Sequence, residues 1–391
     1  MCLPEPSQAG HRLRPVSESG HAERAEEPLA EPGLTSAWRR LAEERSNPFL
    51  TPEWFQTSLE AYPDERPFAV VWRLDGEVRG VLPLVAVSRG PLKTLRFAGA
   101  RRADWLSPAC RPADEEPMAT AVAALLAGES SQWQAIRFDR IDAECGWPAD
   151  LARAQDGDLA LSPRRRQDVL PYIEFDERGF EGYLADRSRN FRSQLGRRRR
   201  KLERDHQLSF RMTETPAGLE ADLDCFFELH DERWSKRGGS SSQDPAARAH
   251  LRLFAAAALE RGWLRLWTAE ADGAPAASWY GWRIGERYCY ALAGLRESYE
   301  PLALGTVLLA HTIEQAAAEG APIYDLMWGD EGYKTRFETG RREAATWILS
   351  RRRHPARAAI SVGVRSRRAL EGLPDGVKHP LARVSRAVRR T

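Results

Sequence analysis

The feature that most constrains this chain is a hairpin plan that occurs twice. PFAVVWRLDGEVRGVLPLVAV sets two β-rich runs around Asp75-Gly76, and LRLWTAEADGAPAASWYGWRIGERYCYALAGL sets two around Asp272-Gly273. Asp-Gly between apolar runs signals a two-residue hairpin, because both turn positions need positive φ. Asp75 and Asp272 are 197 residues apart. The turn glycines Gly90 and Gly285, and the Ala-Gly pairs ending at Gly99 and Gly294, are each 195 apart. Spacing kept this closely across three landmarks predicts two copies of one α/β unit.

The rest of each copy fits that plan. SAWRRLAEER reads as a helix, and NPFLTPEWFQTSLEAY opens with turn signals before a second one. Thr51 is placed to cap it, with Pro52 at its first position and Glu53 in its first turn. LKTLRFAG is a further strand, followed by a helix over Ala119–Ala127 and a strand over Gln134–Asp139. In the second copy Tyr288 to Ala293 alternates as a strand, Pro301 interrupts, and Gly305-Thr306 opens a helix running to Glu319. Gly320 and Pro322 end that helix, and Ile323 begins another strand. The expected division is an arm over 1–33, domains over 34–165 and 166–350, and a basic tail over 351–391.

Composition narrows the class. The chain has 391 residues, 42% hydrophobic and 29% charged, enough to bury a sizeable core. Its net charge is only +2, yet residues 351–390 carry twelve Lys/Arg against Glu371 and Asp375. The first 350 residues are therefore acidic overall. Five scattered cysteines without CxxC spacing exclude a disulfide framework or zinc site and suit a reducing compartment. No metal is expected. The first residues lack the apolar core of a secretory signal, and no run reaches the roughly 20 apolar residues of a membrane span. The expectation is a soluble, cytoplasmic protein.

Three stretches carry possible chemistry. Arg197 to Arg200 lie in a helical segment, RNFRSQLGRRRRKLERD, which reads either as a solvated face or as an anion site. No aromatic residues are interleaved there to stack bases. The loop before Gly305 leads into a helix N-terminus, whose free N–H groups suit a pyrophosphate. Finally, IYDLMWGDEGYKTRF empties an apolar strand abruptly into Asp330, Glu331, Tyr333, Lys334 and Arg336. Either a cleft edge or an ordinary strand-to-helix turn produces such a boundary.

Together these pieces resemble the GNAT acyltransferase superfamily, and more narrowly its CelD/BcsL-like branch of polysaccharide biosynthesis. That branch is similar to the FemAB-type transferases with two GNAT domains in tandem. The resemblance rests on NPFLTPEW, DGEVRGVLPL, RNFRSQLGRRRRKLERD, FFELHDERWSKRG, SYEPLALGTVLL and YDLMWGDEGYKTRF, spanning residues 46 to 350. It implies an α/β (α+β) fold of two tandem GNAT-like domains, each a mixed, largely antiparallel sheet flanked by helices. It implies that strands Tyr288–Ala293 and Tyr324–Trp328 splay apart around acetyl-CoA or another acyl-CoA.

The resemblance puts the cofactor on Ala293, as oxyanion donor, and on Leu302, Ala303, Leu304, Gly305, Thr306 and Val307. Only Gly305 survives of the family's glycine-rich loop. Catalysis would fall to Tyr333 as acid, Lys334 as charge stabiliser, Glu331 or Asp330 as base, and His230. Substrate contacts would come from Arg233, Trp234, Tyr299, Asp325 and Trp328. Lys236 and Arg237 would lead into a mobile flap at Gly238-Gly239. The implied acceptor is a sugar or polysaccharide precursor. The basic tail would contact a membrane surface or a synthase complex. The alternatives are aminoacyl-tRNA as donor, the one reading that involves nucleic acid, and a non-catalytic scaffold.

Overall fold

This computed structural model describes residues 20–89, 92–129, 132–143, 145–154, 159–235 and 239–352. The first 19 residues of the expected arm, the Gly90-Pro91 turn, the Lys236–Gly238 part of the expected flap and nearly all of the basic tail lie outside them.

The chain opens with β1 (His21–Ala25), α1 (Pro32–Glu44) and α2 (Pro52–Ala61). The first hairpin is β2 (Glu65–Leu74) and β3 (Glu77–Arg89), followed by β4 (Leu92–Phe97) and the short β5 (Ala109–Cys110). α3 (Glu115–Gly128), β6 (Ala135–Asp142) and α4 (Trp147–Arg153) complete the first copy. The long β7 (Leu159–Glu174) leads to α5 (Gly179–Ala185), α6 (Arg189–Asp205) and β8 (Leu208–Met212). Then come α7 (Pro216–Ser235), α8 (Pro245–Glu260) and the second hairpin, β9 (Leu264–Ala271) with β10 (Ala274–Ile284). β11 (Arg287–Leu295), α9 (Leu304–Ala318), β12 (Ile323–Asp325) and β13 (Gly340–Arg351) close the described chain.

Local chemistry explains most boundaries. The Thr51 hydroxyl accepts from the Trp54 N–H at 3.1 Å, with Pro52 in the first helical turn. Both hairpin turns hold two residues at positive φ, 51° and 81° at Asp75-Gly76 and 55° and 77° at Asp272-Gly273. That is the geometry a two-residue turn needs to follow the strand twist.

All strands belong to one sheet, in the order β1-β2-β3-β4-β6-β13-β7-β12-β11-β10-β9-β8, with β5 beside β3. The order reads alike from both ends: β2-β3-β4-β6 mirrors β9-β10-β11-β12. β4 and β6 run parallel with α3 between them, and β11 and β12 run parallel with α9 between them. The fold is one large mixed sheet flanked by helices and built from two alike halves.

At the centre the halves exchange strands. β13, from the chain's end, pairs with β6 of the first half, and β7, from the middle, pairs with β12 of the second. β13 and β7 then pair with each other along twelve positions. The expected boundary near residue 165 therefore runs through β7, and β13 sits with the half opposite to the one its place in sequence suggests. Residues 20–33 also differ from the expected disordered arm. β1 pairs with β2 from His21 to Ala25, because Ala22 packs into the core there, and α1 begins at Pro32.

One apolar core fills the first half and continues over the α7–α8 face of the second. Phe49 and Trp54 meet Phe254 and Trp282 across this junction, with Trp54 and Phe254 4.8 Å apart. A second core lies on the opposite face of the second half, beneath α5, α6 and α9.

Candidate active site

β11 and β12 are in register only from Arg287↔Ile323 to Cys289↔Asp325. β11 continues to Leu295 along β10, but after Asp325 the chain bonds elsewhere, Leu326 N–H donating to Pro171 O. The two strands thus part at Cys289. Two features end β12: the Asp325 carboxylate accepts from Met327 N–H at 2.9 Å, and Met327 takes a left-handed φ of 58°.

β11 carries a bulge beside the gap. Tyr280 pairs with Leu292 and Gly281 with Tyr290, so Ala291 has no partner across the ladder. A bulge of this kind re-aims backbone groups out of the ladder. Just beyond it Gly294 allows β11 to lie against α7, since a Cβ there would come within 2.6 Å of His230 N and 2.7 Å of Leu229 Cβ.

A cavity of about 320 Å³ opens into the gap. β10 and β11 supply Ser278, Trp279, Tyr290 and Ala293 to its wall, and α9 with its approach supplies Glu300, Ala303, Gly305 and Thr306. Tyr333 and three arginines, Arg198, Arg233 and Arg336, complete it. Ala303, immediately before α9, has φ 57°, a conformation that costs a non-glycine residue about 1 kcal/mol. α9 has no side-chain cap and no acidic residue in its first turn. At Gly305 a Cβ would meet only Leu295 Cδ2, at 3.7 Å. The protein's own packing therefore leaves room for a methyl there, and the bare Cα widens the cavity.

Of the residues singled out from the sequence, the cavity gathers Ala293, Ala303, Gly305, Thr306, Arg233 and Tyr333. Leu304 and Val307 face the core instead, and Leu302 packs against it. Tyr333 is the group closest to chemistry. Its hydroxyl donates to Tyr290 Oη at 3.3 Å, and burial, reinforced by Tyr290, raises its pKa well above the usual phenol value. A phenol this weakly acidic keeps its proton at neutral pH. It can donate a hydrogen bond rather than release its proton.

Several expected roles change. Lys334 is 4% exposed, and its ammonium donates to Trp328 O at 2.9 Å and pairs with Glu331 at 3.0 Å. It does not line the cavity, so it is a positioning residue that ties down the 328–334 loop carrying Tyr333. Glu331 is committed to that ion pair. Asp330 is 69% exposed beside Arg341, 4.0 Å away. Neither reaches the cavity as a base; Glu300 is the carboxylate on its wall.

His230 is buried behind β11. Its Nδ1 donates to Ala293 O and its Nε2 accepts from the Ser240 hydroxyl, both at 3.0 Å. A carbonyl can only accept, which fixes this tautomer. Burial lowers the pKa to about 4, so the ring is neutral and holds β11 in place rather than moving protons.

The expected substrate contacts also divide. Asp325 is fully buried, paired with Arg287 at 3.3 Å and with Arg342 of β13. It locks three strands together and cannot touch a substrate. Trp328 is 37% exposed beneath the Arg140 guanidinium of the first half, outside the cavity wall. Tyr299 packs edge-on against His206, and Trp234 lies 6.1 Å from the His230 ring; neither lines the cavity. Ser278, Trp279, Tyr290, Glu300, Arg198 and Arg336 were not singled out as site residues. Arg198 had a signal in the arginine run, and Arg336 in the ionisable cluster that follows β12. Arg336 and Glu300 reach the cavity through tertiary contacts that local pattern does not encode.

Comparison with known proteins agrees with this geometry. Residues 189–335 match the family model described as an acetyltransferase (GNAT) domain. The match contains every cavity-lining residue except Arg336, so the chain carries an acyltransferase domain and is an enzyme of that class. No curated protein matches the chain. The solved structure of FemX is 12% identical with a TM-score of 0.60, covering 80% of this chain and 95% of that one. A protein of unknown function from Bacteroides thetaiotaomicron is 12% identical with a TM-score of 0.52, covering 84% and 99%. The C-terminal domain of a candidate lysylphosphatidylglycerol synthetase from Agrobacterium fabrum is 10% identical with a TM-score of 0.51, covering 85% and 95%. At such identity these likenesses concern the fold.

Proposed function

We propose that this enzyme moves an acyl group from acyl-CoA to an amine or hydroxyl of a sugar- or polysaccharide-related acceptor, as the resemblance to the CelD/BcsL-like branch implies. The observation that carries this reading is the cavity where β11 and β12 part, with Tyr333 on its wall and α9 starting at its edge. A pantetheine arm is extended and polar along one side, and it fits a gap between diverging strands.

Magnitudes indicate what would hold the carrier's phosphates. A helix N-terminus favours an anion by roughly 0.3–1 kcal/mol. Each charge-assisted hydrogen bond from a guanidinium contributes about 1.5–3 kcal/mol. The arginines on the cavity wall therefore outweigh the degenerate glycine loop, and loss of the loop's other glycines does not preclude CoA binding.

In the reaction the acceptor's lone pair attacks the thioester carbonyl. A backbone N–H near Ala293, on the cavity wall, receives the developing oxyanion. The C–S bond breaks, and Tyr333 donates a hydrogen bond to the departing sulfur. The acceptor's proton passes to Glu300, directly or through water, and then to solvent. Release of CoA thiol from acetyl-CoA and other acyl-CoAs, measured against a panel of amino sugars and oligosaccharides, tests this. Acceptor-dependent thiol release that collapses in Tyr333→Phe is the expected result. No release and no CoA binding with any acyl-CoA would sink it. Such an enzyme would act in the cytoplasm, and the basic tail from Arg351 on would bring it to an anionic membrane surface or a synthase complex.

One observation favours a second reading, an aminoacyl-tRNA donor as in the FemAB type. α6 carries eight basic residues, and one of them, Arg198, reaches the cavity. Binding of charged tRNA with a steep salt dependence, together with indifference to CoA, would favour it over the first.

A further inference from the structure

The cavity's charge exceeds what a neutral acyl group requires. Three guanidinium groups from three separate segments, Arg198 on α6, Arg233 on α7 and Arg336 after β12, share its wall with one carboxylate, Glu300. The three are not equivalent. Arg336 is exposed, donates to Gln194 at 2.9 Å and lies over the Phe191 ring, and Arg198 is half-buried within the arginine run. Both suit the phosphates of a carrier entering from solvent.

Arg233 is placed differently. Its guanidinium lies against the hydroxyls of Tyr290 and Tyr333, which puts it at the reacting end. Its Nε is shut off from solvent and has no hydrogen-bond partner among the described residues. A buried cationic donor left without an acceptor is unfavourable, and the shortfall is made good when a ligand supplies an anionic oxygen. An acetyl group has only the carbonyl oxygen, which the reaction directs to the backbone near Ala293. Glu300, on the same wall, places negative charge near Arg233 but leaves its Nε without an acceptor.

Resting on the acyl-CoA reading, we propose that the transferred acyl group carries its own carboxylate, received by Arg233. The donor is then a thioester of a short dicarboxylic acid, of the malonyl or succinyl type. The same guanidinium repels donors whose acyl group bears a free ammonium, so this specificity also opposes aminoacyl donors. The chemistry at the carbonyl is unchanged: the C–S bond breaks, the new C–N or C–O bond forms, and the distal carboxylate stays ionised throughout.

Calorimetric titration of the full chain with free CoA, acetyl-CoA and succinyl-CoA tests this, repeated with Arg233→Gln and Arg233→Lys. Wild type should bind succinyl-CoA about tenfold or more tighter than acetyl-CoA, as expected for one charge-assisted hydrogen bond in a partly buried site. The ratio should fall to about one in Arg233→Gln and survive in part in Arg233→Lys, because that variant keeps the charge without the planar fork. Equal affinity of wild type for the two thioesters, or a preference that persists in Arg233→Gln, would overturn the proposal while leaving the acyl-CoA reading intact. Failure of all three ligands to bind, free CoA included, would overturn that reading and this inference with it.

Discussion

In the first half β4 stops at Phe97, and Gly99, at φ 61°, turns the chain away. In the second half the matching Gly294 stays in the strand, and β11 runs on to Leu295. The consequences diverge from there. The first half closes its gap with its own chain: Leu106 N–H donates to Arg140 O at 3.0 Å and bridges Ile141 beside β6, and β5 pairs with Gly80 and Val81 where β4 has ended. Its helix α3 also gathers acids at its N-terminus. Asp114, Glu115 and Glu116 supply carboxylates there, with Asp114 held by Arg79 at 3.2 Å. α9 has no acid in its first turn, and arginines surround the cavity at its start. One plan thus gives a half closed by its own chain, with acids at its helix N-terminus, and a half left open there and ringed by arginines.

Filling the open half should have the largest effect. Gly305→Trp places an indole in the cavity and should abolish acyl-CoA binding, while Gly305→Ala, with 3.7 Å of clearance, should fold and keep it. Circular dichroism with titration calorimetry separates the two outcomes.

Breaking the closed half should destabilise the protein without creating a second site. Leu106 is fully buried, so Leu106→Ala should lower stability by about 2–5 kcal/mol in urea unfolding. New acyl-CoA binding in that variant would show that the plug alone distinguishes the halves.

At the reacting end, Tyr333→Phe should reduce kcat about 100-fold with little change in acyl-CoA affinity. An unchanged kcat would remove Tyr333 from the chemistry. A change of pH should act on stability through the buried histidines, His230 at about pKa 4 and His250 at about 3, both lowered by burial from 6.5. A lowered histidine pKa means that the unfolded chain binds protons the fold refuses. Stability should therefore fall as the pH drops from 6.5 towards 4, by roughly 1.4 kcal/mol per pH unit for each ring. A flat urea midpoint over that window would contradict the neutral assignments.

How much of this was legible depended on distance along the chain. The Thr51 cap and both Asp-Gly turns follow from a few adjacent residues, and α3, α9 and β11 fall within a few residues of where their patterns put them. The repeat itself was visible because its landmarks are local signals at a fixed offset. The exchange of β13 for β7 was not, because either strand satisfies the same period-two pattern wherever it pairs. Nor could residue type tell that Asp325 is neutralised by Arg342 or that the Lys334 ammonium turns away to Trp328 O. The family resemblance pointed to the gap between β11 and β12, but the arginines beside it come from three segments brought together only by folding.

The most direct test of the difference between the halves is the number of acyl-CoA molecules bound per chain, read from titration of the full-length protein with its tightest-binding acyl-CoA. One site per chain, lost in Gly305→Trp, is the predicted result. Two sites would mean that the Leu106 segment does not close the first half, and one site surviving in Gly305→Trp would place the cofactor somewhere other than the gap between β11 and β12.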